Sequence, residues 1–225
     1  MAWGFTTDGA RVLLDVCLGR RERTEDWLDL GRGLMARGLR SPLLVVSDGA
    51  PGLVRAITEL WPDADRGRCA VHRLRNILAK LPERPGLQAR VRAAYWAALD
   101  GATSPSEAEH GLRVLVGELG TEYPSAAACL ADDLPALTVH LAYPLRLRKR
   151  LRSTNLLERS LEEVRRRTKV IGRFPGETSC LTMAWAVMDL VIAGSRGLGL
   201  TLPDRHAIAG LIAARAVPET AQAIA

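Results

Sequence analysis

Residues 43–49, Leu-Leu-Val-Val-Ser-Asp-Gly, most constrain what this chain can fold into. A continuous apolar run between Pro42 and Gly49 predicts a strand covered on both faces, and a layered α/β arrangement is what supplies that cover. The run ends on Asp48, where a strand leaves its sheet and where ligands commonly bind in α/β folds. Its counterpart is Arg152-Ser153-Thr154-Asn155-Leu156-Leu157-Glu158, which reads as the start of a strongly basic helix with a carboxylate in its first turn. An acidic strand end and a carboxylate on a cationic helix suit metal-dependent chemistry on a polyanion. Each has a plainer reading. Asp-Gly after a strand is ordinary turn chemistry before a helix opening at Pro51. Asn155 followed three residues later by Glu158 fits a capping box.

The basic block resists a plain reading better than either carboxylate does. Residues 144–173 carry 11 Lys/Arg against 3 Glu, whereas the rest of the chain has 20 basic and 22 acidic residues. The whole excess of +6 therefore sits in one block. A solvated helix face usually alternates signs. Here Arg146, Arg148, Lys149, Arg150 and Arg152 form one single-sign run, and Arg165, Arg166, Arg167 and Lys169 another. Such runs repel themselves unless phosphates or acids neutralise them, so the block predicts a nucleic-acid contact.

Around that block the chain reads as follows. Residues 2–6 and 12–18 are strands joined by a turn at Thr7-Asp8-Gly9-Ala10. Residues 24–37 are helical, with Gly38 as the stop. After the strand at 43–47 come a helix at 51–61, a short strand at 67–71 and a helix at 72–81. Residues 87–99, 106–119 and 125–137 are Ala/Leu-rich with helical periodicity, which predicts an all-helical insertion. A long helix at 155–169, a turn at 172–176 and an apolar helix at 178–192 follow. The Ala-rich tail after Ser195 is expected to be weakly ordered at its end. These elements divide into 1–82, the first part of an α/β core; 83–145, the helical insertion; 146–195, the closing core helices; and 196–225, the tail.

Cys17, Cys69, Cys129 and Cys180 are widely spaced and lack a paired framework. No basic segment followed by an apolar run opens the chain, and no stretch is long and apolar enough for a bilayer, so a cytoplasmic location with no membrane partner is expected. Cys69-Ala70-Val71-His72 has half of a zinc-finger spacing, yet His110, Cys129, His140 and Cys180 offer no second close pair. Cys69 is then read as core on a short strand, and His72 as a cap or a backbone-locking hydrogen bond at a strand-to-helix junction. No Gly-rich phosphate loop is present, which excludes the common nucleotide-binding signatures.

Taken in order, these residues resemble the prokaryotic Mutator-type insertion-sequence transposases. The resemblance runs from about residue 3 to about residue 190. It rests on Trp27 with Arg37-Gly38-Leu39, Val45-Val46-Ser47-Asp48-Gly49 with Gly52-Leu53, Arg68-Cys69, Val71-His72, Arg75-Asn76-Ile77 and Lys80-Leu81-Pro82. It closes with Ser153-Thr154-Asn155, Glu158, Arg165-Arg166-Arg167-Thr168 and Phe174-Pro175. Gly67, where the family usually has Gln, and Leu161, where many members have Asn, depart from it.

The resemblance implies an RNase H-like core interrupted by a helical insertion, and an Asp-Asp-Glu triad holding Mg²⁺ or Mn²⁺. Asp48 would be the second aspartate and Glu158 the glutamate, with Cys69, His72 and Asn155 beside the site. Arg148, Lys149, Arg150, Arg152, Arg165, Arg166, Arg167 and Lys169 would grip DNA at the element's ends, in a homo-oligomer. The family's first aspartate lies on a strand before residue 1. The expectation is therefore an N-terminally truncated core, incomplete by its first strand and inactive alone. Its alternative is a non-catalytic DNA-binding or oligomerising fragment that interferes with an intact transposase.

Overall fold

The computed structural model describes residues 1–19, 23–194 and 196–216. It is α/β, as the sequence predicts, with strands confined to two two-stranded sheets and the rest dominated by helices. The chain divides into two units: Met1–Leu43 with Arg55–Ala64 and the segment from Asn155 onward, and Leu44–Val54 with Asp65–Thr154.

The first unit is built on the hairpin of β1 (Ala2–Phe5) and β2 (Arg11–Asp15), paired antiparallel with a register shift between Ala2 and Trp3. The predicted Asp-Gly turn forms. Gly9 takes φ +89°, a left-handed conformation glycine adopts without steric cost. Thr6 N donates to Ala10 O at 2.9 Å. Helix α1 (Thr24–Ala36) ends where Gly38 turns left-handed at φ +98°. Gly38 N and Leu39 N then donate to Met35 O and Leu34 O, satisfying carbonyls the helix leaves unpaired. Helix α2 (Pro51–Leu60) enters this unit from Arg55 on, and Gly31 of α1 sits against Leu60 and Trp61. Helices α9 (Asn155–Thr168) and α10 (Glu177–Ala193) pack together, and α10 also lies on β2.

The tail carries an element that the sequence reading did not assign. It contains a 15-residue helix, α11 (Leu202–Ala216), started by Thr201, whose N–H donates to Asp204 at 2.9 Å. Leu198 N donates to Gly9 O at 2.9 Å, and Arg215 Nη1 to Leu43 O at 2.6 Å, so side-chain and backbone bonds hold a segment whose composition alone reads as loose. The expected weak order at the very end concerns residues 217–225, which lie outside the described residues.

The second unit joins a parallel pair, β3 (Leu44–Ser47) with β4 (Asp65–Arg68), to helices α3 (Ala70–Leu78), α4 (Leu87–Asp100), α5 (Pro105–Gly120), α6 (Pro124–Ala131), α7 (Leu134–Thr138) and α8 (Leu145–Leu151). The core lies among the helices, around Ile77, Tyr95, Leu99, Leu112, Leu130 and Leu137. Tyr95 is fully buried, and its hydroxyl donates to Ala70 O at 2.9 Å, as a phenol taken out of water requires.

Four expectations need correcting here. Leu44, Val45 and Val46 are half-buried and not fully covered; among the described residues β3 pairs with β4 alone, which leaves its other edge without a strand neighbour. The second strand runs over Asp65–Arg68, two residues earlier than its expected start. Its polar composition, Asp-Arg-Gly-Arg, carries no strand signal, and pairing to β3 creates it. The single helix expected at 125–137 breaks into α6 and α7 at Asp132-Asp133, where Asp133 takes φ +61°. Aspartate tolerates that conformation better than most residues, and Arg66 clamps its carboxylate through both oxygens, one contact at 2.8 Å. Helix α8 was not anticipated: of its three leucines, Leu145 and Leu147 alternate and only Leu147 and Leu151 stand at helical spacing, too short a pattern to show a period.

His140 gives this unit a pH dependence. Its buried ring is tied through Nδ1 to Leu137 O at 3.1 Å. Burial, then the positive charge of Arg152, pushes its pKa down to about 4. The unfolded chain, with histidine near its ordinary ~6.5, takes up the proton first. Stability is therefore full above about pH 6.5 and falls as pH drops toward 4. Urea unfolding at pH 7 and pH 5 is expected to differ by up to about 2 kcal/mol more in the wild type than in His140→Gln. Equal pH dependence in the two would refute the assignment.

Candidate active site

Asp48 follows the last residue of β3 and is exposed, while Ser47 before it is buried. Its Oδ1 accepts from Ala50 N at 3.0 Å, so one carboxylate oxygen shapes the turn into α2. Gly49 takes φ +86°, and a Cβ there would overlap the Arg68 guanidinium. Arg68 reaches this turn because Ser47 and Arg68 are register partners across the parallel pair. Its Nη1 donates to Gly49 O at 3.1 Å. Burial, and next the neighbouring Arg73 charge, lowers the Arg68 pKa from its ordinary value. Gly49→Ala is expected to cost about 2–4 kcal/mol, combining left-handed strain with a displaced charge-assisted bond. Adding Arg68→Ala to Gly49→Ala should cost less than the sum of the two, since the overlap disappears. Strict additivity in denaturant unfolding would count against the packing described.

Cys69 lies between β4 and α3 and not on a strand, and it is completely buried. His72 is in the first turn of α3. Thr154 joins them: its N and Oγ1 lie 3.3 and 3.4 Å from Cys69 Sγ, and Oγ1 lies 3.3 Å from His72 Nδ1.

Asn155 and Glu158 belong to the first unit, on α9. The helix begins at Asn155 itself, so Asn155 stands inside the helix and not before it. Its buried Oδ1 accepts no hydrogen bond among the described residues. Glu158 is half-buried in the first turn. Leu157, Leu161 and Val164 fall at helical spacing and read as the packed face of this helix, which the structure modifies. Leu161 is 39% exposed, whereas Leu156, Leu157, Ser160 and Val164 are the more enclosed positions.

Hard carboxylate oxygens are the donors Mg²⁺ or Mn²⁺ prefers. Yet Asp48 and Glu158 belong to different units, and among the described residues no group of three or more His, Cys, Asp or Glu side chains is placed to hold a metal ion. Two carboxylates do not make a complete set, and no metal-borne step is derived from them.

The basic block sorts into committed and solvent-facing residues. Arg152 forms an ion pair with Asp100 and lies 4.4 Å above the Trp96 ring. Arg148 Nε donates to Tyr143 O at 3.0 Å. Lys149 and Arg150 are exposed on α8. On α9, Arg166 and Arg167 both reach Glu163 at 2.7 Å, and their hydrogen bonds pull its carboxyl down to about 2. Arg165 and Lys169 are exposed.

Arg73 was missed by the sequence reading. Its side chain is 2% exposed, with Nη1 donating to Cys129 O at 2.5 Å and Nη2 to both Asp132 O and Asp132 Oδ2 at 2.8 Å. The available signal was periodicity: position 73 falls on the same stripe as Ala70, Leu74, Ile77 and Leu78, all buried.

The features together define a helix-rich α/β protein with an acidic strand end and two basic helices. The chain belongs to the Mutator family of transposases, whose model matches residues 1–191. It is 34% identical over 198 residues to the transposase for insertion sequence element IS6120 of Mycolicibacterium smegmatis, covering 87% of this chain and 59% of that protein. It is 37% identical over 187 residues to the transposase for ISRM5 of Rhizobium meliloti, covering 83% and 46%. A third relative, the transposase for IST2 of Acidithiobacillus ferrooxidans, is 32% identical over 206 residues, covering 90% and 67%. The chain thus spans between about half and two thirds of the relatives it matches. No helix among the described residues is long and apolar enough to cross a membrane.

Proposed function

We propose that this chain forms part of the catalytic region of an insertion-sequence transposase and serves metal-dependent cleavage and transfer of DNA strands. The observation that carries this reading is the family match over residues 1–191, which includes both Asp48 and Glu158. In it, the α/β elements form part of an RNase H-like core. Asp48 and Glu158 are two of its metal-binding carboxylates, and DNA at the element's ends lies against the basic residues of α8 and α9, within a homo-oligomer. Asp48 supports the role physically: its turn is pinned by Arg68 while the carboxylate itself stays exposed. When bound, Mg²⁺ or Mn²⁺ supplies Lewis-acid activation of water and of the leaving oxygen.

The test uses the chain together with any coding sequence in frame upstream of Met1, incubated with DNA carrying the element's ends and Mg²⁺ or Mn²⁺. Asp48→Asn and Glu158→Gln are each expected to reduce nicking at least roughly a hundredfold, the equivalent of the several kcal/mol a metal ligand controls, with DNA affinity retained. Nicking that survives both substitutions rejects the site. DNA binding without nicking in every form supports the non-catalytic, interfering fragment instead.

A further inference from the structure

Residues 68–72, Arg-Cys-Ala-Val-His, grip two separate stretches of their own unit. On one side Cys69 N donates to Ser47 O at 2.7 Å and Arg68 Nη1 to Gly49 O at 3.1 Å, so the residues flanking Asp48 are both held. On the other side Ala70 N donates to Arg152 O at 2.8 Å. Thr154 is joined to Cys69 Sγ through its N–H and its hydroxyl, and to His72 through the same hydroxyl. Arg152 is fixed in turn by Asp100 and Trp96 of α4.

We infer that Cys69 and His72 are positioning residues that form a hydrogen-bonding bracket with Thr154, and are not a metal-ligand pair. The inference deepens the proposed function, resting on Asp48 and Glu158 as site residues. The bracket holds the strand end that carries Asp48 and the residue immediately before α9 on one five-residue piece of chain. A thiol sulfur is large and accepts hydrogen bonds at longer range than oxygen, which lets it take two donors from one threonine. The single hydroxyl proton of Thr154 sets the order of the network. With the His72 Nδ1–H donating to Oγ1 and Oγ1–H donating to Sγ, the hydroxyl both accepts and donates. The motif then needs a soft acceptor at 69, a ring nitrogen at 72 and a hydroxyl at 154.

The 225-residue chain labelled with ¹⁵N tests this without DNA. In Cys69→Ala, hydrogen exchange at the Thr154 amide is expected to accelerate about three- to tenfold, the worth of one ordinary hydrogen bond, while amides of α4 and α5 keep their rates. Thr154→Ser retains both donors and should leave the His72 ring ¹⁵N shifts in the Nδ1–H pattern. Thr154→Val removes the hydroxyl and should move them toward the Nε2–H pattern. The threonine pair, at a half-buried position, remains decisive if Cys69→Ala fails to fold. Unchanged His72 shifts in Thr154→Val, unchanged exchange in a folded Cys69→Ala, or one equivalent of Zn²⁺ bound through Cys69 would each overturn the bracket. If the bracket holds but nicking never depends on Asp48, the functional reading fails and the bracket stands.

Discussion

Arg73→Met is expected to lower stability by about 3–5 kcal/mol, the loss of two hydrogen bonds donated by a buried, charged guanidinium. Arg73 comes from α3 and reaches the end of α6, where helix carbonyls lack intrahelical partners. Its two terminal nitrogens satisfy Cys129 O and Asp132 O together. Methionine fills much of the volume but donates to neither carbonyl. Arg73→Lys should recover only part of the loss, since a single ammonium cannot reproduce the guanidinium fork. The Asp132 side chain is 64% exposed, so Asp132→Asn should cost far less, within about 1 kcal/mol. Urea unfolding of the four proteins checks the order. A loss below about 1 kcal/mol for Arg73→Met would show that the carbonyls find water or relax.

DNA affinity is expected to fall steeply with salt, and the triple substitution of Arg165, Arg166 and Arg167 by Ala should flatten that dependence. If each arginine neutralises one phosphate, the log–log slope changes by up to roughly 2.7, and the advantage of moving from 200 to 50 mM salt shrinks about fortyfold. The structure shows which of these residues have acidic partners within the chain. Glu163 already pairs with Arg166 and Arg167. These pairs are exposed and therefore weak enough for a phosphate to replace, so Glu163→Gln should strengthen binding. Arg152 is engaged with Asp100 and Trp96, and Arg152→Ala should alter stability while leaving the slope unchanged. Binding titrations at several salt concentrations separate these outcomes. An unchanged slope in the triple variant would assign the arginines to intramolecular pairing alone.

Much of the local structure was legible before any coordinates. The Asp-Gly hairpin, the Gly38 stop and the helices over residues 87–120 carry their own signals: left-handed glycines in the first two, and sustained apolar periodicity in the third. Asp48 was legible as a strand-end carboxylate for the same reason. The family, too, could be recognised from the order and spacing of motifs that are individually weak.

What stayed hidden is what depends on partners far away in the chain. Asp65-Arg66-Gly67-Arg68 becomes a strand only because β3 supplies its hydrogen bonds. The break at Asp132-Asp133 is sustained by Arg66 and Arg73, roughly sixty residues earlier in sequence. The Ala-rich tail is tied down by Gly9, which binds the segment before α11, and by Leu43, which binds the end of that helix. The role of Cys69 could not be read from Cys-x-x-His, since that spacing fits a zinc pair as well as an acceptor for Thr154. The glycine-stopped turns, the strongly periodic helices, charge content and family membership were determined by the sequence itself, because steric preference, apolar period, net charge and motif order need no distant neighbours. Which arginine is buried, which is paired and which faces solvent was decided only by tertiary structure, because each depends on carbonyls and carboxylates brought close by the fold.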